Sequence, residues 1–278
     1  GLVAAGGVSA AIKKSGIRSG HWSNLANVAG AIIYDLGERR ANEIHPDEAL
    51  GEKSFEACES GKFFCGAAGA GRMTMQGSFF GECIHSGQGG SVRQIDKIKI
   101  GCFTVVNSVG LVVNRKNEIS VGNQRLEASE KSIFGLLNSF PQSLQTVQGS
   151  ILGKRKITQF SQKNTTISLV VTNKKMKFHE LNRLAIQVHS SMGRAIQPFG
   201  SANDGDVLFA VTTDEIDDEL HPTDLGVIAS EVMWDAVLAS TPLYDDPLLT
   251  NFNQTMNSEI ENFSGKNTFL DGNEIFLT

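Results

Sequence analysis

Two residue patterns in this sequence could do covalent chemistry. Thr165 follows Asn164 at the point where a polar run gives way to Thr165, Thr166, Ile167, Ser168, Leu169, Val170, Val171 and Thr172. A threonine hydroxyl placed directly after a peptide carbonyl can attack it and shift the acyl group from nitrogen to oxygen. After hydrolysis the threonine becomes a new amino terminus, and its own amine can serve as the base. The β-branched run predicts a strand, and alternation puts Thr165 on one face with Ile167, Leu169 and Val171, the face expected to be buried. An Asn-Thr pair opening a strand is equally ordinary turn chemistry. The second pattern is Asp204 and Asp206, which flank Gly205 just before a predicted strand at 207–213. Their equal parity lets both carboxylates point at one site.

Other chemistries find little support. Cys58, Cys65, Cys83 and Cys102 form no CxxC pair and no disulfide scaffold, and are expected to be reduced. The six histidines lack metal-ligand spacing, so neither metal nor cofactor is expected. Residues 66–90 are rich in glycine, yet they match neither GxGxxG nor a P-loop, and glycine here is read as tight turns and close packing. A net charge of -5 with intermixed signs gives no nucleic-acid footprint and no polybasic membrane patch. With no membrane-length apolar run and no signal-peptide pattern, a soluble cytoplasmic protein is expected.

These residues need elements to position them. A small-residue helix is predicted at 2–13, and its abrupt start suggests a fragment or an unusual start site. Residues 28–35, with Ile32, Ile33 and Tyr34, read as a buried strand. Pro46, Asp47 and Glu48 open a helix to about residue 61. Residues 97–106 read as a strand, with 107–110 as a turn and 111–114 as its return, making a hairpin. The polar stretch 115–164 is the natural place for a mobile linker and a cleavage site. Beyond the 165–172 strand, Leu181, Leu184, Ala185, Val188 and Met192 form the stripe of a helix at 179–195. Thr223 is the expected cap of a helix at 224–239, and 240–278 reads as a tail. No repeat emerges, and the element order predicts a layered α/β fold.

Taken together, the run from Asn164 through Asn173, the segment Gln187 to Met192, Asp204-Gly205-Asp206 and the stretch Ile228 to Val237 resemble the endo-type 6-aminohexanoate oligomer hydrolases. These nylon-oligomer enzymes sit within the self-processing aminopeptidases of peptidase family S58, which act on L-amino amides, D-alanine esters and β-peptides. The resemblance runs from residue 1 to about 239. It implies an N-terminal-nucleophile-hydrolase-like αββα sandwich, related to ornithine acetyltransferases and here truncated at the amino end. It further implies a single catalytic domain over 1–239, cleaved between Asn164 and Thr165 into subunits 1–164 and 165–278. Thr165 matches the family nucleophile, and Asp204 and Asp206 match the acidic pair that orients and tunes it. Asn107 matches an asparagine near the scissile carbonyl, as an oxyanion donor, and Tyr34 matches a tyrosine of the substrate site. The implied partner is a small amide or peptide substrate, with assembly as a homo-oligomer of processed heterodimers.

Two departures stand against the pattern. Where the family carries a lysine in its glycine-rich segment, this chain has Gln76, Gly77 and Ser78. A portion that relatives place before residue 1 is also missing, which predicts exposed sheet edges and apolar surface. An acyltransferase of the ornithine acetyltransferase kind and an inactive truncated homologue are therefore the competing readings. The identity of the amide lies in pocket shape and is not expected to be legible.

Overall fold

A computed structural model describes residues 1–17, 28–35, 45–80, 84–120, 164–202 and 204–241. They fall into two compact units, one formed by Gly1–Lys62 and the other beginning at Phe63. Most of the expected linker (121–163), Cys83 and the tail from 242 onward lie outside the described residues.

The N-terminal unit is built on two helices, α1 (Leu2–Lys14) and α2 (Glu48–Glu56). The Asp47 carboxylate accepts the Leu50 N–H at 2.8 Å and caps α2, while Lys13 and Lys14 oppose the dipole at the end of α1. The helices are also tied by an ion pair between Lys14 and Glu52. Residues 28–35, expected to be a buried strand, form no strand. Ile32 and Tyr34 are about half exposed, and no neighbouring strand is described with which the segment could pair.

The larger unit is a mixed α/β layer structure. Its short strands β1 (Met75–Gln76) and β2 (Ile84–His85) pair with each other. The main sheet contains β3 (Gln88–Ile95), β4 (Ile98–Val105), β6 (Ile167–Lys174) and β8 (Val207–Ile216), in that spatial order. Between them in sequence come β5 (Leu111–Val112) and β7 (Ile196–Gln197), which form a second two-stranded ribbon. Strands β3, β4 and β6 are antiparallel, and β8 joins β6 in parallel. The β6 to β8 connection runs through α3 (Phe178–Ser191), because a parallel pair needs a crossover.

The expected hairpin of 97–106 with 111–114 is replaced by β3–β4, with Asp96 at φ 51° in its turn. The glycines of β3 had hidden this strand. Gly89 is required because α4 (Pro222–Ala239) crosses so closely that a Cβ there would fall 2.0 Å from the Ala236 carbonyl. Helix α4 begins at Pro222 rather than after Thr223. His221 is its cap, with Nδ1 accepting the Thr223 N–H, since proline suits the first helical turn.

Both long helices lie on one face of the sheet. Ile98, Ile100, Cys102 and Val170 meet Leu184, Val188 and Met192 from α3, and Leu225, Ala229, Val232, Met233 and Ala236 from α4. This corrects the expected orientation of β6. Val170 is fully buried and Ser168 and Thr172 nearly so, whereas Ile167, Leu169 and Val171 are only half-buried. The cause lies in the register. Ile100 opposes Thr172, Cys102 opposes Val170 and Thr104 opposes Ser168, so the helix-facing side of β4 fixes that side of β6. The hydroxyls on this face are paired rather than solvated, as in the 2.9 Å contact between Thr104 Oγ1 and Ser168 Oγ.

Candidate active site

The site lies just ahead of β6 and β8, where the 164–166 and 204–207 segments continue the parallel register of those strands. Ile167 pairs with Val207, and Asn164 forms a bridge with Asp204 at the same offset. Gly205 N–H donates to the Asn164 carbonyl at 2.8 Å, and Val207 N–H donates to the Thr166 carbonyl at 3.0 Å. A regular parallel ladder would send the Thr166 N–H to the Gly205 carbonyl. Here it donates instead to Asp206 Oδ1 at 2.7 Å, so a carboxylate interrupts the ladder beside Thr165.

Around the Asn164–Thr165 bond the groups are tightly held. Asn164 is 3% and Thr165 9% exposed. The Thr165 hydroxyl donates to the Asn164 carbonyl oxygen at 2.7 Å, which is the carbonyl that already accepts from Gly205. Thr165 N–H donates to the Asn107 carbonyl at 2.7 Å. Gly205 stands opposite Thr165 and has to be a glycine: a Cβ there would fall 2.9 Å from Thr165 Oγ1.

Asn107, Asp204 and Asp206 therefore meet at this bond, each in a particular way. Asn107 touches Thr165 through its main chain, while its side-chain Oδ1 accepts the Met75 N–H at 3.0 Å. The donor set on the Asn164 carbonyl is the Gly205 main chain, which sequence reasoning missed. Its one signal was a residue without a side chain between two carboxylates. Asp204 accepts Val109 N–H through Oδ1 and Ser201 N–H and O–H through Oδ2, fastening the 107–110 turn to the 201–204 loop. Asp206 bridges Thr166 N–H and, at 3.3 Å, Gly200 N–H. Burial pushes the Asp206 carboxyl up to about 6, against the pull of the Thr166 amide, and the nearby charge of Asp204 adds to the rise.

The segment that lacks the expected lysine reaches the Asn164 side chain. Gln76 is 1% exposed and holds β5 by accepting the Val112 N–H at 2.7 Å. Ser78 Oγ approaches Asn164 Oδ1 at 3.4 Å. Tyr34 belongs to the N-terminal unit, where it is 45% exposed. Among the described residues no group of three or more His, Cys, Asp or Glu could hold a metal ion. No described helix is long and apolar enough to cross a membrane.

A hydroxyl donating to the carbonyl before it, an amide donor on that same carbonyl, and a carboxylate with a raised pKa one residue away are parts with which a hydroxyl could attack the peptide bond ahead of it. The sequence profile of Peptidase family S58 matches residues 1–250, and the chain belongs to that family. It is thus a hydrolase of amide or peptide bonds.

Among its relatives, a 6-aminohexanoate-oligomer endohydrolase of Kocuria sp. (strain KY2) is 40% identical over 253 residues, covering 86% of this chain and 67% of that protein. A second, from Paenarthrobacter ureafaciens, is 38% identical with the same coverage. A putative NylC-analogous protein of Agromyces sp. (strain KY5R) is 39% identical, over 78% of its length. Of the solved structures, the L-aminopeptidase D-Ala-esterase/amidase of Ochrobactrum anthropi, described as a variant of the N-terminal-nucleophile hydrolase fold, is similar with a TM-score of 0.45 and 18% identity. That likeness covers 70% of this chain and 49% of the other, so the chain spans about half the length of that enzyme.

Proposed function

We propose that the chain cuts itself between Asn164 and Thr165, and that the freed Thr165 hydrolyses short linear amides, with 6-aminohexanoate oligomers and small peptides as the substrate class. The observation that carries this reading is the 2.7 Å contact of Thr165 Oγ1 with a carbonyl oxygen that also accepts the Gly205 N–H. In the first reaction Thr165 Oγ bonds to the Asn164 carbonyl carbon and the C–N bond breaks. The nitrogen takes up the proton that the hydroxyl gives away. The Gly205 N–H holds the oxygen as it becomes negative, and the Asn107 carbonyl keeps hold of the departing nitrogen. Water then hydrolyses the ester, leaving a carboxylate on Asn164 and an amine on Thr165.

In turnover the same donor faces the acyl group of a substrate. An unperturbed α-amine titrates at about 7.7–8.0, so near neutrality part of it is free to accept the Thr165 hydroxyl proton. Asp204 and Asp206 act by position: the first anchors the turn that holds Thr165, and the second pins the peptide that follows it. We place the enzyme in the cytoplasm, which the free thiols of Cys58, Cys65 and Cys102 fit, working as a homo-oligomer of processed heterodimers. Light scattering on the processed protein checks that assembly.

Mass spectrometry of the purified protein tests the central step, with two fragments expected and Thr165 heading the second. An unbroken chain that still hydrolyses a 6-aminohexanoate oligomer would falsify it.

A further inference from the structure

The residue after the nucleophile has no part in the reaction above, yet its side chain is placed at a cost. Thr166 is fully buried, and its Oγ1 has no hydrogen-bond partner. Buried hydroxyls are otherwise paired, and leaving one unpaired is costly. The hydroxyl is not far from an acceptor, however. It lies close enough to the Asp206 carboxyl to favour its charged form, although outside hydrogen-bond geometry. Asp206 already takes the Thr166 N–H and, at 3.3 Å, the Gly200 N–H. An ionised carboxylate offers about four lone-pair sites, so one further donor can be accommodated.

We propose that Thr166 is a positioning residue of the site, whose hydroxyl turns onto the Asp206 carboxylate whenever that group is ionised, before and during the self-cleavage that puts a charged amine on Thr165. This rests on Thr165 being the nucleophile. Before cleavage the Thr165 nitrogen is a neutral amide committed to the Asn107 carbonyl. As the C–N bond breaks it becomes an amine that gains a proton, and a negative Asp206 beside it favours that change. The Thr166 hydroxyl keeps Asp206 ionised and aimed through the step, while Asp204 on the same loop works against ionisation. Asp204 and the new amine are the charged groups that face Asp206; Thr166 and Gly200 bring neutral donors. Self-cleavage is then fastest with Asp206 ionised, and it slows with an acid limb near pH 6.

The test follows the self-cleavage rate across pH. Newly synthesised intact chain is shifted into buffers spanning roughly pH 4.5 to 8.5, and the fragment beginning at Thr165 is quantified by mass spectrometry. Thr166→Val removes the hydroxyl and keeps the shape; it is expected to move the acid limb up by roughly one pH unit, without lowering the melting temperature. Thr166→Ser keeps the hydroxyl and is expected to restore the wild-type limb. If the valine variant does not fold, Thr166→Ala is read in the same way. In an Asp206→Asn background, Thr166→Val is expected to add nothing to the pH dependence. An unchanged limb in the hydroxyl-free variant makes Thr166 a core residue and overturns the proposal. Self-cleavage in Thr165→Ala would instead overturn the nucleophile reading on which it stands.

Discussion

The two faces of β6 differ in sequence character and have opposite duties. On the helix-facing side Ser168, Val170 and Thr172 are buried, with Val170 at 0% exposure and packed against α3 and α4. On the other side Ile167, Leu169 and Val171 are only half-buried, and one step ahead of them on the same parity stands Thr165. The more apolar face is thus the less covered one. The strand is held from behind by packing, while its front edge carries the hydroxyl proposed to react. Such an arrangement suits a nucleophile, which gains from being fixed by elements that do not themselves take part.

The largest effect expected on this contrast comes from removing the hydroxyl. Thr165→Ala should give a single unbroken chain with no measurable amide hydrolysis, seen as one mass and no product. The reactive end depends on Thr165 alone, so folding should survive and thermal unfolding should remain cooperative. Cleavage of that variant at 164–165 would mean that the site works through another group.

Gly205→Ala comes next. The added methyl would sit 2.9 Å from Thr165 Oγ1, closer than a carbon and an oxygen tolerate, and must push the hydroxyl away from the Asn164 carbonyl. Misplacement on that scale costs about 100-fold in rate. A time course of fragment appearance measures it, and a wild-type rate would show that the hydroxyl has room to move.

The two faces can then be weighed against each other at adjacent valines. Val170→Ala opens a cavity in a filled core and should cost about 2 kcal/mol. Val171→Ala, one residue along on the half-exposed side, should cost less than about 1 kcal/mol. Urea unfolding of both variants in the Thr165→Ala chain gives the comparison on an unbroken polypeptide. Equal costs would mean that something buries the front face as firmly as the helices bury the back.

That pair of valines also shows what alternation can and cannot reveal. The strand itself was legible from its β-branched run, and α3 from the stripe of Leu184, Val188 and Met192. Which face of β6 turned inward was not, because hydropathy favours Ile167, Leu169 and Val171. The side that is buried carries hydroxyls paired across the sheet, as Ser168 is with Thr104. Likewise the start of β3 fell in the glycine-rich stretch read as tight turns and close packing, since its glycines answer to the approach of α4, a contact 147 residues away in sequence between Gly89 and Ala236. At the site, Thr165, Asp204 and Asp206 were visible as residue types. Gly205 showed only as a gap between two carboxylates, because its contribution is a main-chain N–H and an absent side chain. Asn107 was found as a residue, but it engages Thr165 through the carbonyl that every residue possesses.

The remaining effect is one of charge, and it separates Asp206 from its surroundings. Its carboxyl is raised from 3.8 to about 6 in the folded chain, chiefly by burial. A raised acid pKa means that the folded state holds the proton more tightly than the unfolded one between those two values. The group's contribution to stability is therefore present at low pH and is lost as pH rises through about 6. Asp206→Asn removes the charge at any pH, so that variant escapes this penalty, although it gives up acceptor capacity at every pH alike. Placed in the Thr165→Ala chain, the Asp206→Asn variant should therefore gain roughly 5–10 °C in melting temperature relative to its parent between about pH 4 and pH 8. Thermal unfolding at the two pH values reads this directly. A difference that stays constant across that range would mean that Asp206 is ionised as easily in the folded chain as in water, and that the buried back of β6 places no electrostatic demand on the loop beside it.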